Sequence, residues 1–169
     1  TRIPEFTGDR LYVSGVNNVY QSVVDEITKL EADSAQKYYV VVVQSSGSGD
    51  WATKNHTDRL HRNWIQKAAR SGIDFDRKRS VVIVLAERNC QLAVRAGTEL
   101  QQKYGLPGQL IDRQIVKPHF IRYAKARNYR QGLISLLNAL EKSIVDRDKA
   151  AERKTAQARQ RLENIRQNA

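Results

Sequence analysis

The sequence predicts an α/β fold: a central mixed β-sheet sandwiched by helices, followed by a charged helical extension. Three observations predict it. Two continuous apolar runs, Tyr38–Val43 and Val81–Ala86, have the length and β-branched content of strands buried on both faces. Segments with apolar residues at three- and four-residue spacing stand between and around them. A short polar turn, Glu87–Asn89, follows the second run and requires the next strand-like segment, Gln91–Ala96, to pair antiparallel. Strands separated by helices fit a sheet covered on both faces, and the hairpin makes that sheet mixed.

The elements follow in order. Residues 1–15 read as an extended lead-in punctuated by Pro4, Gly8 and Gly15, with a short strand at Arg10–Val13. Val16, Val19, Tyr20, Val23, Val24, Ile27 and Leu30 recur at helical spacing and predict a helix from Val16 to about Ala35. The strand Tyr38–Gln44 comes next, then the loop Ser45–Gly49, with Asp50 placed to cap a helix over Trp51–Arg70. A charged loop, Asp74–Arg79, leads into the strand Ser80–Ala86. Gly97 closes the hairpin, and a helix runs from Thr98 to Tyr104 until Gly105, Pro107 and Gly108 break it. A further helix, Gln109–Arg122, contains Pro118, which should kink or divide it. The last helix of the domain opens near Asn128 and aligns Leu133, Leu136, Leu137, Leu140 and Ile144 on one face. The domain therefore spans residues 16–145. Residues 146–169 are rich in good helix formers and read as a helical linker, stalk or partner-binding segment, or else as a frayed solvated tail.

The chain has 169 residues, enough for one domain with a core but not for two. Its formal net charge of +11 is read either as charge spread over solvated helix faces or as the mark of an acidic partner: a nucleic acid, an anionic membrane surface or an acidic protein. No apolar run approaches the ~20 residues of a membrane-spanning helix. The single cysteine, Cys90, makes no intrachain disulfide and is expected to be a small buried apolar residue. The chain opens without Met and contains none, so the expectation is a piece excised from a longer secreted or membrane-anchored protein.

The hairpin and the helix after it read SVVIVLAERNCQLAVRAGTEL over Ser80–Leu100. With Gly97, Glu99 and Leu100 at the helix start, Ile115, Pro118 and Phe120 downstream, Tyr129, Gly132 and Leu133 at the last helix and Trp64 as a tryptophan ending the second helix, the stretch from about Leu11 to Ile144 resembles the TPM domain family. This is the domain of thylakoid-lumen, photosystem-repair and receptor-auxiliary proteins and of many exported bacterial proteins. The resemblance implies a Rossmann-like α/β sandwich on the extracytoplasmic side of a membrane, in the periplasm or at the cell surface, tethered by a helix C-terminal to the domain. It also implies divalent-cation binding in some members and acid phosphatase activity in plant members. Two departures remove candidate oxygen ligands. Arg79–Ser80 stands where the family carries an acidic residue or Asn followed by Gly, and Val13–Ser14–Gly15 stands where an aspartate follows the first strand.

Asp74 and Asp76, joined through the fold by Asp112, form a candidate oxygen set for Ca²⁺ or Mg²⁺. The adjacent Arg77, Lys78 and Arg79 oppose a dication there. Gly47–Ser48–Gly49 lies between a strand and a helix but lacks the Lys and spacing of a phosphate loop, and is read as a flexible connector. His56 and His61 are five apart, on different helix faces, and are expected with His119 at the surface or its boundary. Lys117, His119, Arg122, Lys125, Arg127 and Arg130 form the densest basic stretch and the candidate binding surface. Phe120, Tyr123 and Tyr129 interleave with it, a pattern that suits nucleic acid unless packing claims the rings. The reading is a non-catalytic accessory domain that supports a membrane-associated assembly. The alternatives are a cation-dependent phosphomonoester hydrolase and a nucleic-acid or anionic-surface binding module.

Overall fold

The computed structural model describes residues 2–104 and 108–169. It contains strands β1 (Leu11–Ser14), β2 (Lys37–Val43), β3 (Ser80–Ala86) and β4 (Gln91–Ala96). The helices are α1 (Gln21–Glu31), α2 (Ala52–Ser71), α3 (Thr98–Lys103), α4 (Gly108–Ile111), α5 (Lys117–Lys125) and α6 (Tyr129–Gln167). The four strands form one sheet in the order β1-β2-β3-β4. β1 and β2 pair in parallel, as do β2 and β3, in register from Lys37↔Ser80 to Val43↔Ala86. β3 and β4 are antiparallel, from Val81↔Ala96 to Ala86↔Gln91. The mixed α/β sheet expected from the apolar runs and the short turn is therefore present.

Each face of the sheet carries its own core, because successive side chains of a strand point to opposite faces. Val40, Val42, Ile83 and Leu85 face a large aliphatic core closed by α1, α5 and α6. Tyr39, Val41, Val43, Val82 and Val84 face a smaller core closed by α2, where Trp64, Phe6 and Phe75 pack edge-to-face and tilted around Tyr39. The strands β1, β2 and β3 advance in one direction while α1 and α2 lie on opposite faces. The two crossovers thus have opposite hands, and one departs from the usual right-handed rule. Helices that leave the sheet on opposite sides open a crevice beyond the carboxyl ends of the strands.

Several local expectations are corrected. α1 begins at Gln21, not Val16: Tyr20 is buried and anchored by Glu87, whereas Val19 is 70% exposed. Tertiary anchoring of Tyr20 overrides the helical spacing of the residues before it. Asp50 does not cap α2; Trp51 holds the cap position, with no side-chain cap bond. Trp64 lies inside α2 rather than at its end, and its Nε1–H donates to the Pro4 carbonyl at 2.9 Å. His56 and His61 are both buried, because α2 lays a broad arc of side chains on the sheet. Cys90 is exposed at the hairpin turn, with a left-handed φ of 50°. The break expected at Gly105 and Pro107 lies outside the described residues.

The helix around Pro118 is divided, as expected, by a widened π-helical segment at Asp112–Val116. Proline has no N–H, and its ring crowds the carbonyl four residues back; a wider turn relieves that clash. The expected extension does not start a new element. α6 runs unbroken for 39 residues, roughly 58 Å at 1.5 Å per residue. Its first half is buried through Leu133, Leu136, Leu137, Leu140 and Ile144, and every residue from Glu152 onward is exposed.

Two glycines are needed by close approach. A Cβ on Gly97 would stand 2.2 Å from the Lys78 carbonyl oxygen. The same contact lets the Gly97 N–H donate to the Ser80 carbonyl at 2.7 Å and the Glu99 N–H to the Lys78 carbonyl at 3.0 Å. A Cβ on Gly132 would meet the Phe120 ring at 2.9 Å, so this glycine sets the approach of α5 to α6.

Candidate functional site

The carboxyl ends of β1, β2 and β3 gather residues that are far apart in sequence. Glu87, the first residue after β3, accepts from Asn18 Nδ2 at 2.9 Å and from the Tyr20 hydroxyl. Burial, and then this carboxylate, push the Tyr20 hydroxyl well above its ordinary pKa, so it stays a neutral donor. The Tyr129 hydroxyl, at the start of α6, donates to the Glu87 carbonyl at 3.1 Å and lies 3.1 Å from Cys90 Sγ. Burial and the bond with Cys90 push Tyr129 up to about 12. The lead-in, the hairpin turn and α6 are thereby tied together at one end of the sheet.

Beside this knot lies a polar crevice of about 210 Å³, lined by Asn18, Val19, Tyr20, Arg127, Asn128, Tyr129 and Arg130. Arg127 holds a left-handed φ of 57° at the turn between α5 and α6. The Asn128 side chain caps α6 by accepting from the Gln131 N–H at 3.4 Å. The positive end of the long α6 dipole and two exposed guanidiniums therefore meet at the crevice. The same end carries exposed apolar side chains: Val13 at 43%, Val19 at 70% and Trp51 at 69%. Arginine beside exposed valine, with an exposed tryptophan at the same end, is the composition of a protein-docking rim.

The loop read as a flexible connector is pinned to this end. Ser46 Oγ and Thr53 Oγ1 lie 2.7 Å apart, and Thr53 Oγ1 donates to Gln91 Oε1 at 2.8 Å. The Gly47 and Gly49 carbonyls accept from Asn89 at 2.7 Å and Gln91 at 3.1 Å. Trp51 is thus displayed from a fixed loop rather than a loose one.

The proposed cation set is not gathered. Asp74 is exposed and pairs with Lys37 at 3.4 Å. Asp76 accepts from the backbone N–H groups of Lys78 at 2.9 Å and Arg79 at 3.2 Å, closing the turn before β3. Asp112 stands on the π-helical segment, 3.9 Å from Lys117. Among the described residues no three His, Cys, Asp or Glu side chains come close enough to hold a metal ion.

The basic stretch is placed as one exposed run. Lys117, His119, Arg122 and Lys125 stand on α5, and Arg127 and Arg130 continue it to the crevice. The interleaved rings do not stack outward. Phe120 and Tyr129 are core residues, and Arg122 covers Tyr123 at 4.8 Å. The other motif residues have packing roles: Leu100 is fully buried, and Glu99 pairs with Arg79 at 3.7 Å. Local sequence signalled the basic run. Nothing in it signalled the grouping of Asn18, Glu87 and Tyr129, which depends on the crossovers.

The fold is shared with solved structures. The NMR structure of the BA42 protein from the psychrophilic bacterium Bizionia argentinensis superposes with a TM-score of 0.58 at 12% identity, over 76% of this chain and 79% of that one. The N-terminal domain of a P. gingivalis protein gives 0.60 at 20% identity, covering 79% and 80%. The N-terminal domain of the cg2496 protein from Corynebacterium glutamicum gives 0.50 at 15% identity, covering 83% and 82%. At these identities the likeness establishes the fold alone. No family model and no curated protein sequence matches the chain.

Proposed function

We propose that the chain is a non-catalytic accessory domain of the TPM type. It docks on an acidic protein surface in an extracytoplasmic, membrane-associated assembly. The observation that carries this reading is the carboxyl-end rim, where exposed Val19 lines a crevice with Arg127 and Arg130 and Trp51 is exposed at the same end of the sheet. Apolar anchors supply desolvation, and the arginines select carboxylate-rich partners and speed encounter. The exposed run from Lys117 to Lys125 extends the same field along α5. The compartment follows from the family resemblance. Burial of Phe120 and Tyr129 removes the stacking rings that a single-strand nucleic-acid surface would use.

The test is site-specific photo-crosslinking in native membranes, with the reactive group at Val19 or Trp51 and a control at Lys29. Discrete adducts from both rim positions are expected, and they should disappear when Arg127→Glu and Arg130→Glu are combined. No adduct from either rim position would overturn the reading. So would turnover of a phosphomonoester in the presence of Mg²⁺ or Ca²⁺.

A further inference from the structure

The second half of α6 carries a seam that the domain does not use. From Ile144 the positions Asp148, Ala151, Thr155, Ala158, Leu162 and Ile165 recur at alternating four- and three-residue steps, the heptad spacing of a coiled coil. This stripe continues the one by which α6 is buried in the domain. Leu140 and Ile144 lie in the core, and Asp148 is held by Arg79 at 3.1 Å. Beyond that point Ala151 and Thr155 border an open groove of about 480 Å³ against Lys103 and Tyr104. Leu162 and Ile165 are then 62% and 65% exposed. Two large apolar side chains three apart on a bare helix, above small residues that permit close approach, form an unpartnered helix-packing face.

The flanks say which partner fits. Residues 148–169 hold six Lys or Arg against three Asp or Glu. The positions beside the seam include Lys154, Arg159, Arg161 and Arg166. In a parallel pair of identical chains, Glu152 would face Arg147 of the second copy, but Lys154 would face Arg159 and Arg161 would face Arg166, so like charges meet at the two steps nearest Leu162 and Ile165. An amphipathic helix with Glu or Asp at those flanks would instead form interhelical ion pairs.

We propose that residues 148–169 are one strand of a heteromeric coiled coil whose partner is an acidic amphipathic helix. The inference rests on the reading of the chain as a docking domain, and it assigns that domain a second docking surface, separate from the carboxyl-end rim.

The probe is a synthetic four-heptad helix with Leu at the seam and Glu at the flanking positions, labelled for fluorescence anisotropy against the whole chain. A probe of identical composition with scrambled seam positions controls for charge, and a third carries Lys in place of Glu. The chain should bind the Glu probe about tenfold or more tightly than either control. Combining Leu162→Asp with Ile165→Asp should remove that preference, while combining Arg127→Glu with Arg130→Glu should leave it intact. Equal binding of the Glu and scrambled probes would overturn the inference. So would sedimentation as a dimer that L162D/I165D dissolves, or seam-dependent binding to anionic vesicles without binding to the Glu probe. If the rim pair of substitutions abolishes probe binding and the seam pair does not, the docking domain stands and the coiled-coil assignment falls. Loss of rim crosslinking with the probe preference retained gives the opposite result.

Discussion

The two halves of α6 share a backbone and a composition of good helix formers but are held by different means. The first half, to about Ile144, is fixed by an aliphatic stripe pressed on α1, α5 and the sheet. The second half, from Glu152, is exposed at every residue, borders an open groove against Lys103 and Tyr104, and persists through helix propensity and weak surface pairing. Burial makes the first half part of the fold, and its absence leaves the second half free for a partner. Isolated helices of this length are marginal in water, so a continuous ladder from the docked half is what nucleates the rest.

The largest expected contrast is between two leucines. Leu137→Ala, in the core, should cost about 2–5 kcal/mol in urea unfolding, because a cavity adds to the lost transfer energy. Leu162→Ala, exposed on the second half, should stay within about 0.5 kcal/mol. Equal costs would mean that the second half packs on the domain.

Acid should separate the halves next. His61 is buried against Phe75, with one ring nitrogen unpaired. Burial first, and then Arg95, lower its pKa to about 4, with Asp58 opposing. Burial also lowers His56, helped by Arg59. The unfolded chain, with histidines near 6.5, takes up protons first as pH falls, so stability declines between pH ~6.5 and ~4. For His61 the loss is on the order of 3 kcal/mol. Denaturant titrations from pH 7 to 4.5 should show this slope and find it reduced in His61→Leu. Helicity of the second half, read from its own amides, should not follow that slope until the domain unfolds.

Smaller effects come from single methyl groups. Gly132→Ala gains about 1 kcal/mol of helix propensity but drives a Cβ into the Phe120 ring, a strain of about 1–3 kcal/mol. The net should be a destabilisation of about 1 kcal/mol, visible as a lower Tm. Ala158→Gly should cost about 1 kcal/mol of local helicity and leave the global transition unmoved.

What was legible in the sequence divides along the same physical line. β2, β3, β4 and the buried stripe of α6 could be read because continuous apolar runs and regular spacing are local signals of burial. The start of α1 could not, since Tyr20 is anchored to Glu87, 67 residues away. His56 and His61, on different helix faces by their spacing, are both buried because α2 lays a wide arc of side chains on the sheet. Cys90 is exposed rather than buried because it stands in a left-handed turn that nothing local marks. The basic run was visible, but the crevice it borders was not. Asn18, Glu87 and Tyr129 meet only because the crossovers diverge at the carboxyl end of the sheet. Asp74, Asp76 and Asp112 looked like a ligand set by chemistry alone, and the turn before β3 uses Asp76 for its own backbone.

Amide hydrogen exchange along α6, with and without the acidic heptad probe, tests the central contrast most directly. Amides around Leu133–Ile144 should exchange only by global unfolding, while those beyond Glu152 should exchange near the unprotected rate until the probe is added and then slow by more than about tenfold. Strong protection beyond Glu152 in the chain alone, or none at saturating probe, would contradict it.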